Sequence, residues 1–234
     1  MSDFGAVKEL IKDVPGWLSD EEGEALYELA QECTGRGVIV EIGSWKGKST
    51  ICLGLGSRAG NSVRIFAVDP HADYRHGEFK DNIERAGISD LVTPLKGLSQ
   101  EVADRFDEPI ELLFVDGSHE EADVSEDFEK WVPKVVDRGI VAFHDTTWHD
   151  GPRKVVAEKI FGSHQFRDVR FVLGSTTVAQ KVPHNTPYDR LHARRVQVMK
   201  AIFGAVTRLL KKRRSWLPAP VERAGRRVFR VVGR

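Results

Sequence analysis

The stretch GVIVEIGSWKGKS, residues 37–49, decides the fold of this 234-residue chain. It opens with a run of β-branched apolar residues, Val38, Ile39, Val40 and Ile42, that stops at Gly43. Such a nearly continuous apolar run predicts a strand buried on both faces, as in a parallel sheet. Gly47 follows and a helical pattern starts at Lys48, so this turn can bring a ligand close to the backbone and to a helix N-terminus. A tight strand-to-helix turn without a ligand is the alternative for this stretch taken alone.

The same strand–helix alternation occurs five times along the chain. Sequence patterns predict strands at residues 38–42, 63–68, 92–96, 110–115 and 139–143. Helical patterns follow them at residues 48–56, 78–86, 99–106, 121–132 and 152–161. Residues 167–173 and 176–181 predict a closing hairpin. The alternation predicts an α/β fold with a doubly wound, mostly parallel sheet and helices on both faces.

Further segments flank this predicted core. The motif Ser19-Asp20-Glu21-Glu22 predicts a capping box at the start of a helix, and the apolar residues of that helix are expected to pack on the sheet. We therefore divide the chain into an N-terminal helical segment (residues 1–36), a core (37–185) and a basic helical tail (186–234).

The composition favours a cytoplasmic globular protein. No apolar run approaches the roughly 20 residues of a membrane span, and the first residues, MSDFGAVKELIKD, have no apolar signal core. The two cysteines, Cys33 and Cys52, fall in predicted helices. We expect them to be buried thiols in a reducing compartment, not a disulfide or a metal site.

The neutral net charge conceals a strongly basic tail. Residues 190–234 carry 14 Lys and Arg against one acidic residue, Glu222, so this segment has a net charge of +13 and residues 1–189 have −13. Apolar side chains at helical spacing in residues 191–210 predict an amphipathic helix. We expect it to pack on the body or on a second subunit of a homodimer. Docking on an anionic membrane surface is the second expectation and nucleic acid the last.

Polar residues follow the predicted strands, and ligands of such sheets bind beyond the carboxyl ends of the strands. Residues 43–49 resemble the phosphate-binding motif G-x-x-x-x-G-K-[ST]. However, only three residues separate the two glycines, where the phosphate cradle needs four. A bound nucleoside instead requires an acid at the end of the second strand, and Asp69 stands there. A loop acid or a helix cap is the alternative for Asp69.

Five segments together resemble the class I S-adenosylmethionine-dependent methyltransferases, and within them the small bacterial branch of metal-dependent sugar O-methyltransferases. They are PGWLSDEEGEALYELA, VEIGSWKGKST, FAVDPH, GLSQE and LLFVDGSHEEADVSEDFEKWVPKVVDRGIVAFHD. Enzymes of mycobacterial type that methylate a methylmannose polysaccharide are one candidate within this branch. The resemblance implies a seven-stranded sheet with a C-terminal antiparallel hairpin. It also implies that Glu41, Gly43 and Ser44 hold the methionine part of the cofactor, Asp69 the ribose and Ser99 the adenine.

The chemistry is expected after the fourth and fifth strands. Adjacent strand tips lie about 4.8 Å apart, so Asp116 and Asp145 can converge on one cation, with Asp116 also bordering the cofactor. Oxygen ligands suit Mg²⁺ or Mn²⁺, which would lower the pKa of a bound hydroxyl. The resemblance places a general base at His119. His144 stands where the family often has a carboxylate, and it either binds the cation or supports a ligand. Helix capping is the alternative for both aspartates.

These residues predict an O-methyltransferase for a hydroxyl of a sugar, glycan or glycosylated small molecule. A P-loop-type nucleotide hydrolase and a non-catalytic methyltransferase-like binding protein are the alternatives. Trp45 and Trp148 flank the predicted cleft, where they either stack on a ligand or pack at its rim. Residues 73–79 are interpreted as a lid or a plain surface loop, and His149 is a candidate to line the acceptor pocket.

Overall fold

The structure, a computed structural model, describes residues 4–71 and 73–212, except for the side chains of residues 73–75 and 210–212. Within these residues the strands are β1 (Val38–Ile42), β2 (Ile65–Asp69), β3 (Val92–Lys96), β4 (Ile110–Val115), β5 (Val135–Phe143), β6 (Phe166–Val172) and β7 (Thr176–Lys181). The helices are α1 (Phe4–Ile11), α2 (Asp20–Gln31), α3 (Lys48–Ala59), α4 (Asp73–Arg85), α5 (Ser99–Ala103), α6 (Glu121–Trp131), α7 (Asp150–Val156) and α8 (Pro187–Lys212). A π-helical turn, Ala157–Phe161, extends α7.

The seven strands form one sheet in the order β3-β2-β1-β4-β5-β7-β6. The first five run parallel, and β7 is antiparallel to both β5 and β6. This confirms the predicted doubly wound sheet with its C-terminal antiparallel hairpin. The strand order reverses between β1 and β4, which places the topological switch point directly beyond β1.

Helices cover both faces of the sheet because the strands are apolar on both sides. Side chains alternate along β1, so Val38, Val40 and Ile42 belong to one hydrophobic cluster and Ile39 to the other. The second cluster contains the buried residues of α1, α2 and α3. By the same alternation Glu41 points into this second layer, under α3.

The N-terminal helices pack closely on the core. Ser19 caps α2 in the predicted capping box with Glu22. A Cβ atom added to Gly56 of α3 would overlap the backbone carbonyl of Tyr27 in α2, so glycine is what permits the close approach of these two helices. The three-part division of the chain stays a prediction.

Several local predictions were wrong. Residues 73–79 form the start of α4 and not a loop, and within them Phe79 is fully buried. Cys33 lies just beyond the end of α2, although both cysteines are buried free thiols as predicted. Strand β5 begins at Val135 and not at the predicted residue 139, because Asp137-Arg138-Gly139 forms a bulge within the strand. Arg138 has a left-handed φ of 63°, and the pairing register with β4 shifts there.

Helix α5 ends at Ala103, earlier than the predicted residue 106, whereas α3 runs three residues beyond its predicted end. The predicted amphipathic helix of the tail is present as α8. Its first half packs on β6, where Ala193 and Val196 are buried and His192 contacts the carbonyl oxygen of Val169 at 3.0 Å. Residues 213–234 of the predicted basic helical tail lie outside the described residues. Among the helices that the structure describes, none combines the length and the apolar character of a membrane span.

Candidate functional site

A cavity of about 1130 Å³ opens at the carboxyl ends of the parallel strands. The turns after β1, β2, β3, β4 and β5 all contribute to its lining, together with residues 16–19 and the turn between β6 and β7. The structure thus brings most of the predicted site residues to one place. Those that line the cavity are Gly43, Ser44, Asp69, Ser99, Asp116, His119, His144 and Asp145.

The turn after β1 is held against the turn after β4. Gly43 has a left-handed φ of 88°, and a Cβ atom there would overlap the backbone carbonyl of Asp116. Gly43 donates its N–H to Val68 at 2.8 Å, and Asp116 donates its N–H to Ile42 at 2.8 Å. Glycine is therefore required here because the two turns cross, in addition to any approach of a ligand.

Asp69, at the end of β2, faces the same turn. Its Oδ2 accepts a hydrogen bond from the N–H of Trp45 at 2.9 Å, and its Oδ1 accepts one from the N–H of His71 at 2.8 Å. Each carboxylate oxygen keeps a second lone pair. The side chain is 13% exposed, so it is fixed in place and still reachable from the cavity.

Ser99 is held by a residue that the sequence reasoning missed. Its hydroxyl donates to Asp127 of α6, and the Nε2 of Gln100 donates to the same carboxylate at 2.9 Å. Burial raises the pKa of Asp127 to about 6, against the lowering effect of the Ser99 hydrogen bond. Asp127 lies within a helix and not at a strand end, so only the packing of α6 beside α5 reveals it.

Glu41 does not reach the lining. Its side chain is fully buried and accepts hydrogen bonds from the hydroxyls of Ser49, at 2.5 Å, and Thr50 in the first turn of α3. Burial raises the pKa of Glu41 to about 7, although both hydroxyl hydrogen bonds lower it. Glu41 thus lies beneath the turn after β1 and not at the cavity surface. Its predicted contact with the methionine part of the cofactor stays a prediction.

His144 is surrounded by carboxylates. Its Nδ1 lies 2.9 Å from Oδ1 of Asp116 and 3.5 Å from Oδ2 of Asp145, and its Nε2 lies 3.3 Å from Oε1 of Glu22. Burial by itself would lower the pKa of His144, but these three neighbours raise it to about 12. The imidazole, almost fully buried, therefore carries a positive charge among the carboxylates.

Glu22 is a second residue that the sequence reasoning missed at the site. Besides closing the capping box, it accepts hydrogen bonds from the N–H of Ser175 at 2.6 Å and from the hydroxyl of Thr176 at 2.8 Å. It is buried and lines the cavity. The motif around Ser19 predicted its capping role, but nothing local indicated that the hairpin and His144 would meet it.

His119 and His149 stand together at the more exposed side of the cavity. Their rings stack with centroids 3.7 Å apart and planes 21° apart. The Nε2 of His119 lies 2.9 Å from Oδ2 of Asp145, and the Nε2 of His149 lies 3.7 Å from the same oxygen. Asp145 is thus shared between this histidine pair and His144.

Three lining residues have a left-handed backbone that side chains rarely adopt: Trp45 with φ 40°, His71 with φ 38° and Asp145 with φ 55°. Such strain persists only where the surrounding structure imposes it, and it is frequent at functional sites. It aims Asp145 into the cavity here. His71, which was not predicted as a site residue, is buried and contacts the hydroxyl of Ser44 at 3.4 Å.

Comparison with known proteins agrees with this geometry. Residues 40–146 match the family described as the methyltransferase domain. The match covers 107 of the 234 residues, so somewhat less than half of the chain is similar to a methyltransferase domain. The matched residues run from β1 to the turn after β5, so the methyltransferase domain includes the strand ends that form the cavity.

Two similar solved structures show the same fold. An O-methyltransferase from Bacillus cereus in complex with SAH is 18% identical with a TM-score of 0.62, and the match covers 78% of this chain and 92% of that one. The O-methyltransferase TomG from Streptomyces achromogenes, involved in tomaymycin synthesis and in complex with SAM, is also 18% identical with a TM-score of 0.59. That match covers 78% of this chain and 91% of TomG.

A curated relative is similar in sequence over part of its length. An uncharacterized protein of Sinorhizobium fredii, y4gI, is 34% identical over a 119-residue alignment that covers 46% of this chain. The match covers only 13% of that protein, so the chain spans a small part of the length of this relative.

Proposed function

We propose that this chain is an S-adenosylmethionine-dependent, divalent-metal-assisted O-methyltransferase that acts on a hydroxyl of a sugar, glycan or glycosylated small molecule. One observation carries the proposal. A single cavity joins the turns predicted to hold the cofactor, after β1, β2 and β3, to the carboxylates and histidines after β4 and β5. The family match supports methyl transfer, and neither it nor the similar structures support the nucleotide hydrolase or the non-catalytic alternative.

The residues of the first three turns fit the proposed cofactor. Asp69 keeps one free lone pair on each oxygen, as a carboxylate that accepts two ribose hydroxyls requires. Ser44 and Ser99 add polar atoms on either side of it. The cavity is also large enough, because drug-sized ligands occupy sites of about 300–1,000 Å³.

The residues after β4 and β5 fit a divalent cation. Asp116 and Asp145 both approach the same nitrogen of His144, so their oxygens already face one small volume that holds a positive charge. Two carboxylates with open positions suit Mg²⁺ or Mn²⁺. The cofactor would supply an electrophilic methyl group, and the cation would lower the pKa of a bound hydroxyl.

His119 is the proposed general base. Its side chain is 43% exposed, and its Nε2 lies 2.9 Å from Asp145, which can orient the ring and stabilise the imidazolium formed when it takes a proton. His144 does not suit this role, because it is buried and both of its ring nitrogens already contact carboxylates.

The rim of the cavity supports a sugar or other ring-shaped acceptor. Trp17, 84% exposed, stacks on Trp45 with ring centroids 5.1 Å apart and planes 21° apart. Trp148 lines the cavity beside the histidine pair. Large aromatic faces at an open pocket are suited to contacts with the apolar face of a ring.

Calorimetric titration with S-adenosylhomocysteine, with and without Mg²⁺, tests the cofactor. Transfer of a labelled methyl group to a panel of sugar acceptors tests the reaction. We expect S-adenosylhomocysteine to bind and a chelator to abolish methyl transfer. Asp145→Asn should lose methyl transfer, whereas the matched control Asp81→Asn, at an exposed position, should keep it. Absence of binding would refute the assignment, and transfer that survives chelation would refute the role of the metal.

We also propose that the chain forms a homodimer through α8. From its middle onward this helix exposes a row of apolar side chains, Val198, Ile202, Val206 and Leu209. A second copy can cover them, and its acidic body complements the basic tail. Membrane contact is the alternative occupant of this face, and the cytoplasmic location stays a prediction.

A further inference from the structure

We propose that His119, Asp145 and His149 form a site for a borderline transition-metal ion, such as Zn²⁺, Co²⁺ or Fe²⁺, at the exposed side of the cavity. One ligand atom from each residue lies within 4.8 Å of the others. This set differs from the Asp116–His144–Asp145 group proposed for Mg²⁺, with which it shares only Asp145. The inference does not depend on methyl transfer, because ion binding can be measured without a cofactor.

The backbone builds this site from two segments that touch. Asp145 and His149 belong to one turn, in which the N–H of His149 donates to the carbonyl of Asp145 at 3.1 Å. His119 comes from the turn after β4. A Cβ atom at Gly151 would overlap the carbonyl of His119, so the start of α7 lies directly against that turn. The histidines are therefore brought together by packing, and not by chance rotamers of isolated surface residues.

The chemistry of the three donors selects the class of metal. Two imidazole nitrogens and one carboxylate oxygen are the donors of the facial triad that binds Fe²⁺, and imidazole equally suits Zn²⁺ and Co²⁺. Mg²⁺ prefers oxygen ligands and dehydrates reluctantly, so it gains little from two nitrogens. The remaining positions face the cavity, where water or an acceptor oxygen can bind.

The histidine pair is more accessible to an ion than His144 is. His144 is 4% exposed, and both of its nitrogens face carboxylates, so an ion must first displace those contacts. The side chains of His119 and His149 are 43% and 44% exposed. Their Nε2 atoms lie 2.9 Å and 3.7 Å from Oδ2 of Asp145, so an ion that enters from the open surface can reach all three donors.

Occupation of this site has a consequence for the proposed base. An ion bound to Nε2 of His119 uses the lone pair that would otherwise accept a proton. Transition ions are therefore expected to compete with the base function of His119 and with any Mg²⁺ that shares Asp145. Mg²⁺ is then expected to support methyl transfer in this cavity, whereas Zn²⁺ or Co²⁺ on His119 is expected to inhibit it.

The test uses the full chain, stripped of metal, with Co²⁺ as a spectroscopic probe and Zn²⁺ in equilibrium dialysis. We expect one equivalent of Co²⁺ to bind with visible absorption bands stronger than those of an all-oxygen octahedral site. His149→Ala should weaken binding at least about tenfold, as removal of groups that support a metal ligand already costs about 10–100-fold. The exposed His184→Ala, a surface histidine outside the cavity lining, is the control for adventitious binding and should change nothing.

His149→Ala should fold, because His149 precedes α7 without making a side-chain cap hydrogen bond. The proposal is overturned if His149→Ala binds Co²⁺ as tightly as the wild type, or if the spectrum is that of an all-oxygen site. Titration of the same samples with S-adenosylhomocysteine keeps the two proposals separate. Cofactor binding without Co²⁺ binding would refute the histidine site alone, and the reverse result would refute the cofactor assignment alone.

Discussion

Replacement of Glu41 by glutamine should make the protein more stable at alkaline than at acidic pH relative to the wild type. Glu41 is fully buried under α3, and this burial raises its pKa from 4.5 to about 7. Glutamine keeps the shape of the side chain and can still bond to both hydroxyls of α3. It removes only the charge.

The sign follows from proton linkage. The folded state holds its proton more tightly than the unfolded chain, so the protonated form stabilises the fold fully below about pH 4.5. This contribution is lost as the pH rises to the folded pKa of about 7. The rise in the pKa of Glu41 corresponds to about 3 kcal/mol of the free energy of unfolding. The wild type loses about 2.5 kcal/mol of this contribution between about pH 5 and about pH 8.

Urea unfolding at several pH values, followed by tryptophan fluorescence, measures this difference. Trp131 is fully buried and reports on the core. Glu111→Gln is the matched control. Glu111 accepts hydrogen bonds from the N–H groups of Thr34, Gly35 and Arg36 at 2.9–3.0 Å.

Burial raises the pKa of Glu111, but these donors lower it more, so the net shift is downward. Its charged form therefore stabilises the fold above the unfolded pKa, and that stability is lost only in acid as the pH falls through the folded pKa. Glu111→Gln should accordingly be destabilised by a nearly constant amount between about pH 5 and about pH 8. A constant difference between Glu41→Gln and the wild type over the same range would refute the reasoning for Glu41.

Three further predictions concern the cavity and its surroundings. Gly43→Ala should lower the free energy of unfolding by at least about 3 kcal/mol, because it combines a left-handed φ with overlap of the β4 turn. Thermal unfolding of both variants measures this loss. The control Gly77→Ala, where a Cβ meets no atom within 4 Å, should be neutral or slightly stabilising. Asp69→Asn should weaken S-adenosylhomocysteine binding at least about tenfold in calorimetry, since an amide cannot accept on both sides, and Asp81→Asn should not. In sedimentation equilibrium the wild type should contain two copies and Ile202→Asp one; a monomeric wild type would contradict the proposed dimer.

Much of the fold could be predicted because its signals are local. The apolar run before Gly43, repeated strand–helix alternation and the capping motif at Ser19 each depend on residues close in sequence. Strand β5 shows the limit of such signals, because the sequence predicted its start at residue 139 and so left out the bulge at Arg138. Asp137-Arg138-Gly139 has the composition of a turn, and only pairing with β4 keeps the chain in the sheet.

The site was predictable where the carboxyl-end rule applies and not elsewhere. Asp69, Asp116 and Asp145 follow strands, so topology alone brings them to one edge of the sheet. Asp127 and Glu22 lie on helices, and their roles depend on how those helices pack. Glu41 shows the opposite case. It belongs to the sequence motif at the end of β1, yet the alternation of side chains along β1 turns its carboxylate toward α3 and away from the cavity.

The position of Glu22 has a consequence for any attempt to shorten the chain. This one carboxylate binds the start of α2, the β6–β7 turn and the buried histidine, yet both its own helix and that turn lie outside residues 40–146. A protein trimmed to the matched residues would leave His144 with one counter-charge fewer and its buried edge open to water. The structural unit that encloses the buried histidine therefore extends from α2 to β7, well past the matched residues 40–146.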